Sequence, residues 1–86
     1  MAVLNYRLRQ RNFRAIQLTQ QTAMEAFDFI KPYFRTTLTI NRDVQLIIQA
    51  VPYTLVAKIG DFVILDNNNQ VLVRNENEFF LNFRQV

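Results

Sequence analysis

The chain has a single glycine, Gly60, set just before the apolar run Phe62-Val63-Ile64-Leu65. A lone glycine before a strand-like run marks either a backbone position that needs positive φ or a close approach by another segment. Asp61 follows it, and a short carboxylate there can accept nearby backbone N–H groups and hold the bend. Gly60 and Asp61 therefore read as structural turn residues. With one glycine and two prolines in 86 residues, little of the chain is free to be loop.

That length makes one domain, residues 1–86. Half of the residues are hydrophobic and eleven are aromatic, eight of them Phe. Such a composition supports a packed core and argues against disorder. No apolar run approaches the roughly 18 residues of a membrane span, and arginines interrupt the N-terminus where a secretory leader would be apolar. The expectation is a cytoplasmic protein with no membrane partner.

Residues 13–19 read as a strand with Arg14, Ile16 and Leu18 on one face. The arginine-rich lead-in from Tyr6 either extends that strand or lies loose. Thr22-Ala23-Met24-Glu25 has capping-box spacing, and Ala23, Ala26, Phe27 and Ile30 recur at helical spacing. The helix is expected over about 22–32, closed by the effect of Pro32 on Lys31. Strand-like segments follow: Thr37–Ile40 with Leu38 and Ile40 inward, Val44–Ala50, residues 54–59, residues 62–66, and Val71–Val73. Turns are expected at Asn41–Asp43, at Val51–Tyr53 and at Asp66–Asn69. Asn75 with Glu78 signals a second, short helix over about 76–83, with Phe79 and Phe83 toward the sheet. The expected fold is α+β: a single, mostly antiparallel sheet of four to five strands with one main and one short helix.

The chain lacks His, Cys and Ser altogether. That removes an imidazole base, a thiolate, a His/Cys zinc cage and the usual nucleophilic triads. No glycine-rich phosphate loop is present. Asp61 and Asp66 bracket a four-residue strand, which separates them by roughly 16–17 Å in extended chain, too far for shared acid–base work. The expectation is a non-enzymatic protein with no catalytic residues, no metal and no cofactor.

Charge supplies the one feature that points outward. Residues 1–14 carry four arginines and no acid, while residues 15–86 carry six basic against seven acidic side chains. Arg7, Arg9 and Arg11 alternate, so an extended chain would project them from one side, with Arg14 beyond. Arginine suits bidentate contact with phosphate or carboxylate, and Tyr6 and Phe13 flank the segment as stacking faces. Three readings stay open for Arg7, Arg9, Arg11 and Arg14. They form a solvated edge strand that blocks aggregation, a contact for a protein partner, or a nucleic-acid arm. Residues 1–11 would then be a flexible or edge-strand basic arm. Phe27, Phe29, Phe34, Phe62, Phe79, Phe80 and Phe83 exceed what so small a core absorbs. Phe79 and Phe80 point about 100° apart on the proposed helix, so one of them is expected at the surface, and with Phe29 and Tyr33 this points to a homodimer contact.

Several short motifs fall in a familiar order. Tyr6-Arg7 precedes Ala15-Ile16-Gln17-Leu18-Thr19, then comes a helix, then Ile59-Gly60-Asp61-Phe62-Val63-Ile64, then Phe79 and Phe83. In this the chain resembles the small phage and prophage proteins built around a Gly-Asp-Tyr motif. Phe62 and Phe83 stand where that family has Tyr, Arg14 replaces a Glu, and Asn68-Asn69 lacks a glycine. The resemblance implies a phage or prophage accessory protein in a bacterial host, with no catalytic residues to carry over. The functional expectation is protein binding, to a host factor or to itself; the alternative is nucleic-acid binding through the N-terminal arginines.

Overall fold

The computed structural model describes residues 3–8, 11–40, 43–82 and 84–85. In chain order the elements are β1 (Leu4–Leu8), β2 (Arg11–Gln17), α1 (Ala23–Ile30), β3 (Arg35–Thr39), β4 (Gln45–Ala50), β5 (Tyr53–Lys58), β6 (Phe62–Leu65), β7 (Val71–Arg74), α2 (Glu76–Asn82) and β8 (Arg84–Gln85). The fold is α+β, with two antiparallel sheets in place of the single sheet expected. One has the strand order β7-β6-β2-β1-β8 and the other β3-β4-β5. Among the described residues no helix is long and apolar enough to cross a membrane.

The partition into two sheets happens at Gly60. Residues on either side of it were expected to be joined strands, yet β5 and β6 belong to different sheets. The glycine has φ +97°, and a Cβ added there would meet nothing within 4 Å. Backbone conformation, and not close approach, is therefore what requires glycine here. The turn is tied on both sides. Asp61 N–H donates to the Lys58 carbonyl at 2.9 Å, and the Asp61 carboxylate accepts the Lys58 N–H at 3.0 Å. Across the fold, Gly60 N–H donates to the Leu18 carbonyl and Leu18 N–H to the Asp61 carbonyl, both at 2.8 Å. These bonds deliver the chain to the edge of β2, and β6 then pairs with β2 from Gln17↔Phe62 to Arg14↔Leu65.

All four residues of β6 are buried because both faces of its sheet are covered. Val63 and Leu65 join Ile16 and Leu18 in the larger core, packed with Ala26 and Ile30 of α1 and Leu46 and Ile48 of β4. Phe62 and Ile64 face the other way and pack with Phe13, Ala15 and Phe79 of α2. The Phe62 and Phe79 rings stack at 3.8 Å, with Phe80 edge-on to both at 5.5 Å. As their roughly 100° helical offset requires, Phe79 is buried and Phe80 stays 60% exposed. Phe83 lies outside the described residues.

Several local expectations need correction. The helix α1 covers Ala23–Ile30, shorter than 22–32. The capping box does not form: Thr22 makes no side-chain cap bond. Its hydroxyl instead donates to the Gln17 carbonyl at 2.7 Å and accepts the Thr19 N–H at 2.8 Å, stitching the β2–α1 connection. Lys31 keeps helical angles (φ −49°, ψ −39°) despite preceding Pro32, and the chain leaves through a turn in which Tyr33 and Phe34 N–H groups reach the Ile30 carbonyl. Ile40, expected inward, lies past the end of β3 and is 61% exposed. The second helix spans Glu76–Asn82 and is capped as expected, with Asn75 Oδ1 accepting the Glu78 N–H at 2.8 Å. The Asp66 turn also forms: its carboxylate accepts the Asn68 and Gln70 N–H groups at 2.8 and 2.9 Å, and Asn69 takes φ 60°.

Gly60→Ala should destabilise the fold by about 1–2 kcal/mol, from backbone strain alone since no neighbour is struck. Urea unfolding measures this, and an unchanged midpoint would show that the bend relaxes without cost.

Candidate functional site

The N-terminal arginines separate into different environments. The chain reverses between Leu8 and Arg11, with Leu8↔Arg11 and Arg7↔Asn12 opposite one another in an antiparallel pair. Arg7 and Arg11 thus lie on two strands and not along one extended run. Nor is β1 a sheet edge: it pairs with β2 on one side and with β8 on the other, where Arg7 sits opposite Arg84. Arg9 lies outside the described residues.

Arg14 is placed by both its strand and its neighbours. It is half-buried, and its guanidinium lies 5.8 Å from the Phe29 ring centroid and 6.0 Å from that of Tyr33. The same group donates to Asn69 Oδ1 at 3.1 Å. Arginine can do this because its planar guanidinium offers π-faces and in-plane donors together. The side chain therefore links β2, the end of α1 and the β6–β7 turn. Arg14 thus has structural contacts in the fold.

The aromatic residues expected at a homodimer contact fall on two sides of the larger sheet. Phe29 and Tyr33 lie with Arg14 on the α1 side of the larger sheet, whereas Phe79 and Phe80 lie on its opposite side with Phe62. Of the adjacent pair, one ring is at the surface as expected: Phe80 is 60% exposed and Phe79 is buried.

Gly60 and Asp61 hold the corner between the sheets, as structural turn residues. Asp61 accepts a backbone N–H of its own turn, and Asp66 does the same in its own, so each carboxylate is engaged locally. A shallow cleft of about 290 Å³ opens beside the corner, lined by Asp43, Val44, Gln45, Lys58 and Ile59. Among the described residues no group of His, Cys, Asp or Glu is arranged to hold a metal ion.

A feature that sequence reading passed over lies in residues 51–59. Val51 is 94% exposed and Tyr53 72%, with Val56 and Ile59 also exposed. Alternation in β5 places Tyr53, Leu55 and Ala57 on one face and Thr54, Val56 and Lys58 on the other. Apolar residues on both faces of an outer strand were the available signal.

No family model matches this chain, and neither the curated proteins nor the solved structures contain a detectable relative.

If Arg14 clamps the two rings, a double-mutant cycle between Arg14→Met and Tyr33→Leu should give a coupling of about 0.5–1 kcal/mol in stability. Additive effects would mean that the guanidinium merely passes nearby.

Proposed function

We propose that this chain is a non-enzymatic accessory protein of phage or prophage type that works by binding another protein, a host factor or a second copy. The observation that carries this is the run of exposed apolar side chains at Val51, Tyr53, Val56 and Ile59. Large apolar groups concentrated along one outer strand and its flanks cost hydration free energy in the free protein and regain it when a partner covers them. Tyrosine suits such a surface, since it offers a wide apolar ring and one polar tip at low rotamer cost. The phage assignment rests on the Tyr6-Arg7, Ala15–Thr19 and Ile59–Ile64 motifs, and on their order.

The test uses the folded protein as bait in a bacterial lysate, beside a Val51→Lys/Tyr53→Lys variant. Both positions are highly exposed, so stability should stay within about 0.5 kcal/mol of the parent. Captured protein should be lost with the variant. Identical capture profiles, together with a monomeric mass for the parent, would rule this surface out. The neighbouring reading frames test the phage origin separately.

One observation favours a second reading, nucleic-acid binding. The register sets Arg7 opposite Arg84. Like charges directly opposed across strands are destabilising until an anion lies between them. Binding through the N-terminal arginines should weaken steeply with salt and be indifferent to base sequence, and Arg7→Ala/Arg11→Ala should flatten the salt slope. No mobility shift of any oligonucleotide at low salt would dismiss it.

A further inference from the structure

The three-stranded sheet ends on β3, whose far side has no strand partner among the described residues. An open edge presents unpaired N–H and C=O groups, and natural folds usually blunt such an edge with charge, proline, a bulge or extreme shortness. Of the other outer strands, β8 has only two residues, β7 has four and ends on Arg74, and β5 follows Pro52 and ends on Lys58. β3 has five residues, Arg35-Thr36-Thr37-Leu38-Thr39, regular pairing with β4 throughout, no proline, and one charge at its very start.

We infer that this edge joins the same edge of a second copy, making a continuous six-stranded sheet across a two-fold axis at Thr37. The inference rests on the self-association branch of the protein-binding reading and assigns it a surface separate from residues 51–59. Antiparallel self-pairing about Thr37 sets Thr37 opposite Thr37 of the second copy, Thr36 opposite Leu38, and Arg35 opposite Thr39. Opposed threonines are a favourable cross-strand pair. The only charges stay apart, since the two Arg35 positions end up offset by four residues, about 13 Å along the strands. Thr36 and Leu38 are half-buried on the inner face, where each would gain a neighbour from the second copy. Ile40, just past the strand end, is 61% exposed. An antiparallel isologous pairing closes on itself, so it yields a dimer and not a fibre.

Thr37 is exposed on the outer face, so the monomer should accept substitution there. The expected result is a parent protein that doubles its mass with concentration in analytical ultracentrifugation, while Thr37→Lys and Thr37→Glu each remain monomeric. Mixing the two variants should restore the dimer, since opposite charges then face one another at the axis; restoration also proves that both variants fold. The chain has no cysteine, so Thr37→Cys should form an intermolecular disulfide on mild oxidation. Thr39→Cys, about 13 Å from its counterpart, should not. A parent that stays monomeric at millimolar concentration would overturn the inference, and so would a dimer indifferent to Thr37→Lys. A monomer that loses a lysate partner on Thr37→Lys would assign the edge to that partner and overturn the second copy. In any of these cases, loss of capture on Val51→Lys/Tyr53→Lys would leave the broader protein-binding reading standing.

Discussion

Two backbone hydrogen bonds, Gly60 N–H to the Leu18 carbonyl and Leu18 N–H to the Asp61 carbonyl, decide the architecture. They fasten the bend between β5 and β6 to the end of β2, and Gln17 Nε2 adds a bond to the Gly60 carbonyl at 3.1 Å. That attachment sits beside the start of the β2–β6 ladder at Gln17↔Phe62. With it, β6 pairs with β2, and the larger sheet gains the strand that is buried on both faces. Positive φ at Gly60 is what lets the chain arrive there in the correct direction.

From that corner the two cores follow. Residues alternating along β2 and β6 send Ile16, Val63 and Leu65 to the α1 side and Phe13, Ala15, Phe62 and Ile64 to the α2 side. The two helices therefore do different work. α1 fills the space between the sheets with small and branched residues, Ala23, Ala26 and Ile30, that allow close approach. α2 covers the outer face chiefly through one ring, Phe79, stacked on Phe62. Arg14 closes the margin of the first core, where its aliphatic stem leaves the sheet and its head meets Phe29, Tyr33 and Asn69.

Much of the fold was legible where a local device dictates a local shape. Gly60 with Asp61, Asp66 with its asparagines, Asn75 with Glu78, and the spacing of Ala23, Ala26 and Ile30 all read correctly. Each depends on groups within a few residues of one another. Competition between partners was not legible. Thr22 had the spacing of a capping box, but its hydroxyl found the Gln17 carbonyl and the Thr19 N–H, which only the folded β2–α1 connection brings near. The number of sheets was hidden for the same reason, since strand patterns do not say which strand a segment will choose. Of the candidate site, the basic segment was visible as composition, but the contacts of Arg14 within the fold were not. Those depended on two aromatic rings at positions 29 and 33 and an asparagine at position 69.

The two sheets also differ in how far along the chain their strands must search for one another. β3, β4 and β5 are consecutive, with Arg35↔Gln49 and Gln45↔Lys58 the most distant pairings between neighbouring strands. The larger sheet must bring Gln17 to Phe62 and Tyr6 to Gln85. Loop-closure entropy is smaller for the nearby pairings and accrues before the distant ones can reward it. The meander should accordingly gain amide protection earlier during refolding, with Leu46 and Ile48 slowing their exchange before Val63 and Ile64. Simultaneous protection of both sets in a pulsed-exchange experiment would mean instead that the sheets assemble as one cooperative unit.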